Sequence, residues 1–132
     1  MYRPSDPPSD PADLSAWLRD EFTRLALFLN DFSKPVELLD GATINVNARL
    51  GNTFRVTLGG NRTLANPTNA TSGQQMFFRI EQDPTGGRTL AYGSKLKITG
   101  TLVTTAGAVN ILALQYDAND DTFVGVLNAI PA

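Results

Sequence analysis

The chain has 132 residues, enough for about one domain, with 42% apolar, 8% aromatic and 18% charged side chains. It contains no cysteine and no histidine. That excludes a disulfide framework, a thiolate metal site, a cysteine nucleophile and the imidazole that most often serves as general base or metal ligand. Eleven basic and thirteen acidic side chains leave a net charge of −2, without the basic footprint that nucleic-acid binding needs.

The excess of acid has an address. Residues 1–34 hold four basic side chains (Arg3, Arg19, Arg24, Lys34) and six acidic ones (Asp6, Asp10, Asp13, Asp20, Glu21, Asp31), while residues 35–132 hold seven of each. No apolar run approaches the ~18 residues of a membrane span. Residues 1–14 lack the apolar stretch of a secretory signal. The expectation is a binding or structural protein with no membrane or nucleic-acid partner, no cofactor, no metal and no enzymatic activity.

Residues 1–10 form the first of three expected domains. Pro4, Pro7 and Pro8 stand among Ser and Asp, and proline fixes φ and removes amide donors, so the stretch reads as an extended, polyproline-like arm. It is open to two readings, a disordered tail or an arm that docks on a partner. In the second, Tyr2, Arg3, Pro4, Pro7 and Pro8 are the docking residues, since Tyr and Arg are enriched in interfaces.

Residues 11–34 are expected to form an amphipathic α-helix. Asp10 can cap it, Pro11 suits its first position, Asp13 favours the positive end of the dipole and Pro35 stops it. Leu18, Phe22, Leu25, Leu29 and Phe32 recur at heptad spacing, flanked by Leu14, Trp17 and Phe28, and cover an arc of ~140°. Either the helix packs alone on its own β domain, or identical helices pack together along this seam. The second makes those five residues an oligomerisation surface, with a homotrimer as the preferred state. The seam is short for a coiled coil, at about two heptads.

Residues 35–132 have an all-β pattern. Residues 43–48 alternate with Ile44, Val46 and Ala48 on one side. Residues 53–58 alternate with Phe54, Val56 and Leu58 inward and Arg55 and Thr57 outward, and Gly51-Asn52 between the two runs predicts a tight hairpin. Gly59-Gly60-Asn61 turns the chain into a strand over 62–65. Strands over 74–82, 88–92, 95–98, 101–105, 108–116 and 122–128 follow, with Asp83-Pro84-Thr85-Gly86-Gly87 as a turn and residues 117–121 as the tip of a last hairpin. Some eight short strands with a turn signal about every 8–12 residues predict an antiparallel β-sandwich or jelly-roll-like domain.

Candidate chemistry is sparse. Asp117, Asn119, Asp120 and Asp121 are a dense oxygen cluster but lack the glycine and distal glutamate of an EF-hand loop, so a solvated turn is the expectation. Ser94-Lys95-Leu96-Lys97 matches Ser-x-x-Lys, yet its alternation is that of a strand, which cannot set Lys beside Ser. Glu81 and Asp83, two apart, could share a strand face, but a small sandwich offers no cleft between them. Gly59-Gly60 and Gly86-Gly87 are turn glycines, because no helix follows to bind phosphate.

Several ordered segments are familiar together: Gly51-Asn52-Thr53-Phe54-Arg55-Val56-Thr57-Leu58, Gly60-Asn61-Arg62-Thr63-Leu64-Ala65-Asn66-Pro67-Thr68-Asn69, Phe78-Arg79-Ile80-Glu81-Gln82-Asp83, Gly86-Gly87-Arg88-Thr89-Leu90-Ala91-Tyr92-Gly93, and the ending with Ala106-Gly107-Ala108-Val109-Asn110-Ile111-Leu112, Gln115-Tyr116-Asp117 and Val124-Gly125-Val126-Leu127. They resemble a β domain that recurs in structural proteins of tailed bacteriophages, in head decoration or head-fibre proteins and in tail-fibre modules. The resemblance covers residues 42–128. It departs at Thr122-Phe123-Val124, where one aromatic stands instead of a pair, and residues 1–34 carry no motif of the family.

The resemblance implies a virion protein, assembled in the host cytoplasm, that acts by binding and needs no cofactor. The first expectation is a homotrimeric capsid decoration (cement) or short head-spike protein that meets the major capsid protein or another virion protein through its N-terminal segment. The alternative is a tail-associated adaptor or short tail-fibre protein that binds another tail protein or a host glycan.

Overall fold

The computed structural model describes Thr23 and residues 34–130. The expected arm and helix, with Tyr2, Arg3, Pro4, Pro7, Pro8 and the seam of Leu18, Phe22, Leu25, Leu29 and Phe32, lie outside the described residues.

Among the described residues nine strands follow in chain order: β1 (Val36–Glu37), β2 (Thr43–Ile44), β3 (Thr53–Leu58), β4 (Arg62–Leu64), β5 (Gln75–Gln82), β6 (Leu90–Tyr92), β7 (Leu96–Thr99), β8 (Val109–Asp117) and β9 (Thr122–Ala129). They form a six-stranded sheet, β1-β3-β5-β8-β9-β7, and a three-stranded sheet, β2-β4-β6. From β1 to β6 the chain alternates between the two sheets, and each strand pairs in parallel with the strand two places on. This half is solenoid-like, with each coil giving one strand to each sheet. The remainder is different: β8 runs antiparallel to both β5 and β9, and β7 closes the far edge in parallel with β9.

The core is made of like residues stacked on like. Phe54 pairs with Phe78 and Val56 with Ile80 across β3 and β5, and the two phenyl rings stack 5.0 Å apart at 18°. Met76, Leu112, Leu114, Phe123 and Leu127 continue the layer from β5 to β9, and Ile44 and Leu64 face it from the small sheet, all buried. Outward positions on β3 and β5 carry charge. Arg55 bridges Glu37 and Glu81, and Arg79 reaches Glu81 at 2.6 Å.

Backbone bonds such as Thr63 N to Ala42 O and Thr68 N to Val46 O join the coils, and side chains add further bonds at the corners. The Asp40 carboxylate accepts from Gly59 N at 3.1 Å and from Arg62 Nε and Nη2 at 2.8 and 3.0 Å, clamping one coil to the next. Asn61 Oδ1 accepts from Thr89 N, and Asn47 Oδ1 accepts from Asn69 Nδ2, both at 3.0 Å. Asp83 caps its own turn by accepting from Thr85 N, Gly86 N and the Arg88 guanidinium. Gly86 takes φ 72°, and a Cβ there would stand 2.6 Å from Ala106 N, so only glycine fits.

Several expectations are corrected. The antiparallel sandwich or jelly roll gives way to parallel coils joined to one antiparallel hairpin. Alternation marks a half-buried strand whatever the direction of its neighbour, and coils expose one sheet face just as a sandwich does. Gly51-Asn52 makes no hairpin. The strand begun at Thr43 ends at Ile44, a single 3-10 turn follows over Ala48–Leu50, and β3 pairs instead with β1 and β5. Residues 101–105 form no strand, because Val103 spends both its backbone groups on the buried Asn110 side chain, at 3.0 and 3.1 Å. Gln82 does the same to Arg88, at 2.9 and 2.8 Å, so β6 begins only at Leu90. The last hairpin forms as expected, with Asp117 opposite Thr122.

Candidate functional site

The corner after β4 and the tip of the β8–β9 hairpin enclose a polar cleft of about 340 Å³, lined by residues 66–70, Lys95, Tyr116, Asp121 and Phe123. Its size falls within the range of small-ligand sites. Two features of the local sequence build it. Pro67 is buried, and Asn69 turns the corner at φ 60°, while Asp121 closes the hairpin tip at φ 53°. Asn and Asp accept this left-handed region more readily than other side chains. Lys95 is held at both backbone groups, its N–H donating to Asn66 Oδ1 at 2.9 Å and its carbonyl accepting from Phe123 N at 2.8 Å.

At the centre stands Asp121. One carboxylate oxygen accepts from Tyr116 OH at 2.7 Å and the other pairs with Lys95 Nζ at 2.6 Å. The Tyr116 ring leans on buried Phe123, 4.5 Å between centroids. The Lys95 hydrogen bond, then the Tyr116 hydrogen bond, hold the Asp121 carboxyl below the usual range. The same bond to Asp121, with desolvation and the nearby charges of Asp117 and Asp120, pushes the Tyr116 phenol up. Both groups are thereby moved away from neutrality, the reverse of what a general acid or base needs. The arrangement is a fixed set of hydrogen-bond donors and acceptors beside an aromatic ring, suited to binding.

The sequence candidates fall elsewhere or apart. Glu81 points outward among arginines, whereas Asp83 sits in its turn with Arg88, so the pair shares no cleft. Asp117 and Asp120 bond within the hairpin tip, to Asn119 N and Thr122 Oγ1. Among the described residues no group of three metal-ligating side chains converges. Lys95 sits in the discounted Ser94-Lys95-Leu96-Lys97 and Asp121 in the discounted acidic loop. Each appeared inert alone, and only the pairing of β7 with β9 joins them. No local signal in the sequence announces that pairing.

Searches of curated proteins and of solved structures return no match. Residues 38–121 match the family described as "Putative phage tail fibre C-terminal domain". The match runs from β2 through β8 to Asp121 at the hairpin tip, and so takes in Lys95, Tyr116 and Asp121 of the cleft but not β1, β9 or Phe123. The chain belongs to this family, and its β body is a domain of phage structural proteins.

Proposed function

We propose that the chain is a tail-associated fibre module of a phage virion, homotrimeric and without catalytic activity, that offers the Lys95–Asp121–Tyr116 cleft to a host glycan. The observation that carries the tail assignment is the family match over residues 38–121, which favours this reading over decoration of the capsid shell. The chemistry of the cleft supports the ligand class. Among the residues lining the cleft Lys95 and Asp121 neutralise each other, and the acidic Asp117 and Asp120 nearby disfavour an anion. A sugar hydroxyl both donates and accepts, and it fits a carboxylate, an ammonium, amides and a ring edge held together.

Counting peptides from purified particles against those of the major capsid protein tests the tail assignment. A handful of copies per particle supports it. Hundreds of copies, in a fixed ratio to the capsid protein, overturn it in favour of shell decoration.

A further inference from the structure

In the cleft Tyr116 OH, the Asp121 carboxylate and Lys95 Nζ are linked in series. The two bonds of the series, at 2.7 and 2.6 Å, fall on different carboxylate oxygens. An ionised carboxylate has about four lone-pair sites, shared equally between its oxygens, so each oxygen of Asp121 keeps one site to offer. Lys95 Nζ has three donors and spends one of them on Asp121. These spare sites are reachable, because the Lys95 and Asp121 side chains are 45% and 51% exposed. Their bases are fixed. Lys95 is held through both backbone groups, the Tyr116 ring leans on buried Phe123, and Asp121 sits in the turn between paired β8 and β9. Groups ordered before a ligand arrives spend less of its binding energy on ordering.

We propose, resting on the glycan reading above, that the cleft holds an uncharged sugar by two hydroxyls on adjacent ring carbons, one donating to each oxygen of Asp121. Adjacent ring hydroxyls lie side by side, as the two carboxylate oxygens do, so one carboxylate meets both at once. The hydroxyl on the Lys95 side accepts a spare ammonium proton in return, since a hydroxyl donates and accepts together. Both contacts are charge-assisted, the stronger class of hydrogen bond. Charge sets the class of sugar. A sugar carboxylate finds the Lys95 ammonium already paired, with Asp121 beside it and Asp117 and Asp120 nearby. An amino sugar finds Asp121 already paired, with the Lys95 ammonium beside it. Either one sets like charges side by side, which costs binding, whereas an uncharged diol uses the sites that the internal pair leaves over.

Full-length chain is titrated by NMR with the methyl glycosides of glucose, mannose, galactose and rhamnose, and with a sialoside, a glucuronide and glucosamine, each to tens of millimolar. At least one uncharged glycoside is expected to bind, at least tenfold more tightly than any charged sugar. Deoxy analogues of the tightest binder then map the contact. Removing either of two adjacent hydroxyls is expected to weaken binding at least tenfold, the scale of a charge-assisted hydrogen bond, and removing any other hydroxyl much less. Lys95→Met and Asp121→Asn should each cost at least tenfold, while Lys97→Met, which removes an equal charge outside the cleft lining, should leave binding unchanged. Should a cleft variant fail to fold, the deoxy series on the unmodified chain decides alone. A charged sugar as the tightest ligand, or deoxy losses at non-adjacent positions, overturns the diol contact and leaves the glycan reading intact. Absence of binding by every uncharged glycoside also overturns it. The glycan reading then stands only if the chain binds a glycan array through Asp121, and otherwise both fall. Binding that survives both cleft variants overturns both as well.

Discussion

The two halves of the β body solve one problem, register, by different means. In the hairpin half β8 and β9 are joined by a tight turn and stay paired from Asp117–Thr122 to Asn110–Ala129, so each backbone bond helps to place the next. In the coil half paired strands are separated by a whole coil, and β1 and β2 are two residues each. There the work passes to side chains: Asp40 on Gly59 and Arg62, Asn61 on Thr89, Gln82 on Arg88. A long closed loop costs entropy that a short hairpin does not, and such specific bonds, with stacked Phe54 and Phe78, offset it. The cleft lies where the halves meet, taking Asn66 and Asn69 from a coil corner and Tyr116 and Asp121 from the hairpin.

The largest way to break this comparison is through the stack that spans two coils. Phe78→Ala removes a buried ring partnered by Phe54, and a loss of about 3–5 kcal/mol is expected in denaturant unfolding. Such a loss is a large share of a domain's stability. Asn110→Ala comes next. It takes both partners from Val103 and is expected to cost about 2 kcal/mol, with hydrogen exchange quickening at Val103 before it does in β8.

Acid should act in the same sense. Asp40 and Asp83 are held below the ordinary 3.8, by the hydrogen bonds of Arg62 and of Arg88 respectively, and Asp121 by that of Lys95. A carboxylate whose folded pKa is lowered adds stability that is present above the unfolded value and lost as pH falls through the folded one. Thermal scans should therefore be flat above about pH 5 and decline below about pH 4. Asp40→Asn should flatten part of that decline. The smallest effect on stability is expected at Asp121→Asn, because its ion pair with Lys95 lies at the surface. Its effect on glycan-array binding should be a loss of about tenfold or more, since it weakens charge-assisted bonds.

Much of the fold was legible strand by strand. Residues 53–58 alternate so cleanly that the inward set Phe54, Val56 and Leu58 follows from parity alone, and residues 117–121 announce a hairpin tip. Alternation did not reveal partner direction, because it is the same in a coil and in a sandwich. One signal did carry it. Phe54-Arg55-Val56 recurs as Phe78-Arg79-Ile80, and Arg62-Thr63-Leu64-Ala65 as Arg88-Thr89-Leu90-Ala91, and such self-similarity marks stacked repeats. The first pair aligns in register. The second slips by two residues, with Arg62 opposite Leu90, since Gln82 occupies the backbone of Arg88. The cleft was less legible still: Lys95 and Asp121 come together only through tertiary pairing.

Location in the particle tests the central claim most directly. Gold-labelled antibody against the β body, applied to intact virions, is predicted to mark the tail. Label spread regularly over the head, with the tail bare, would contradict the account.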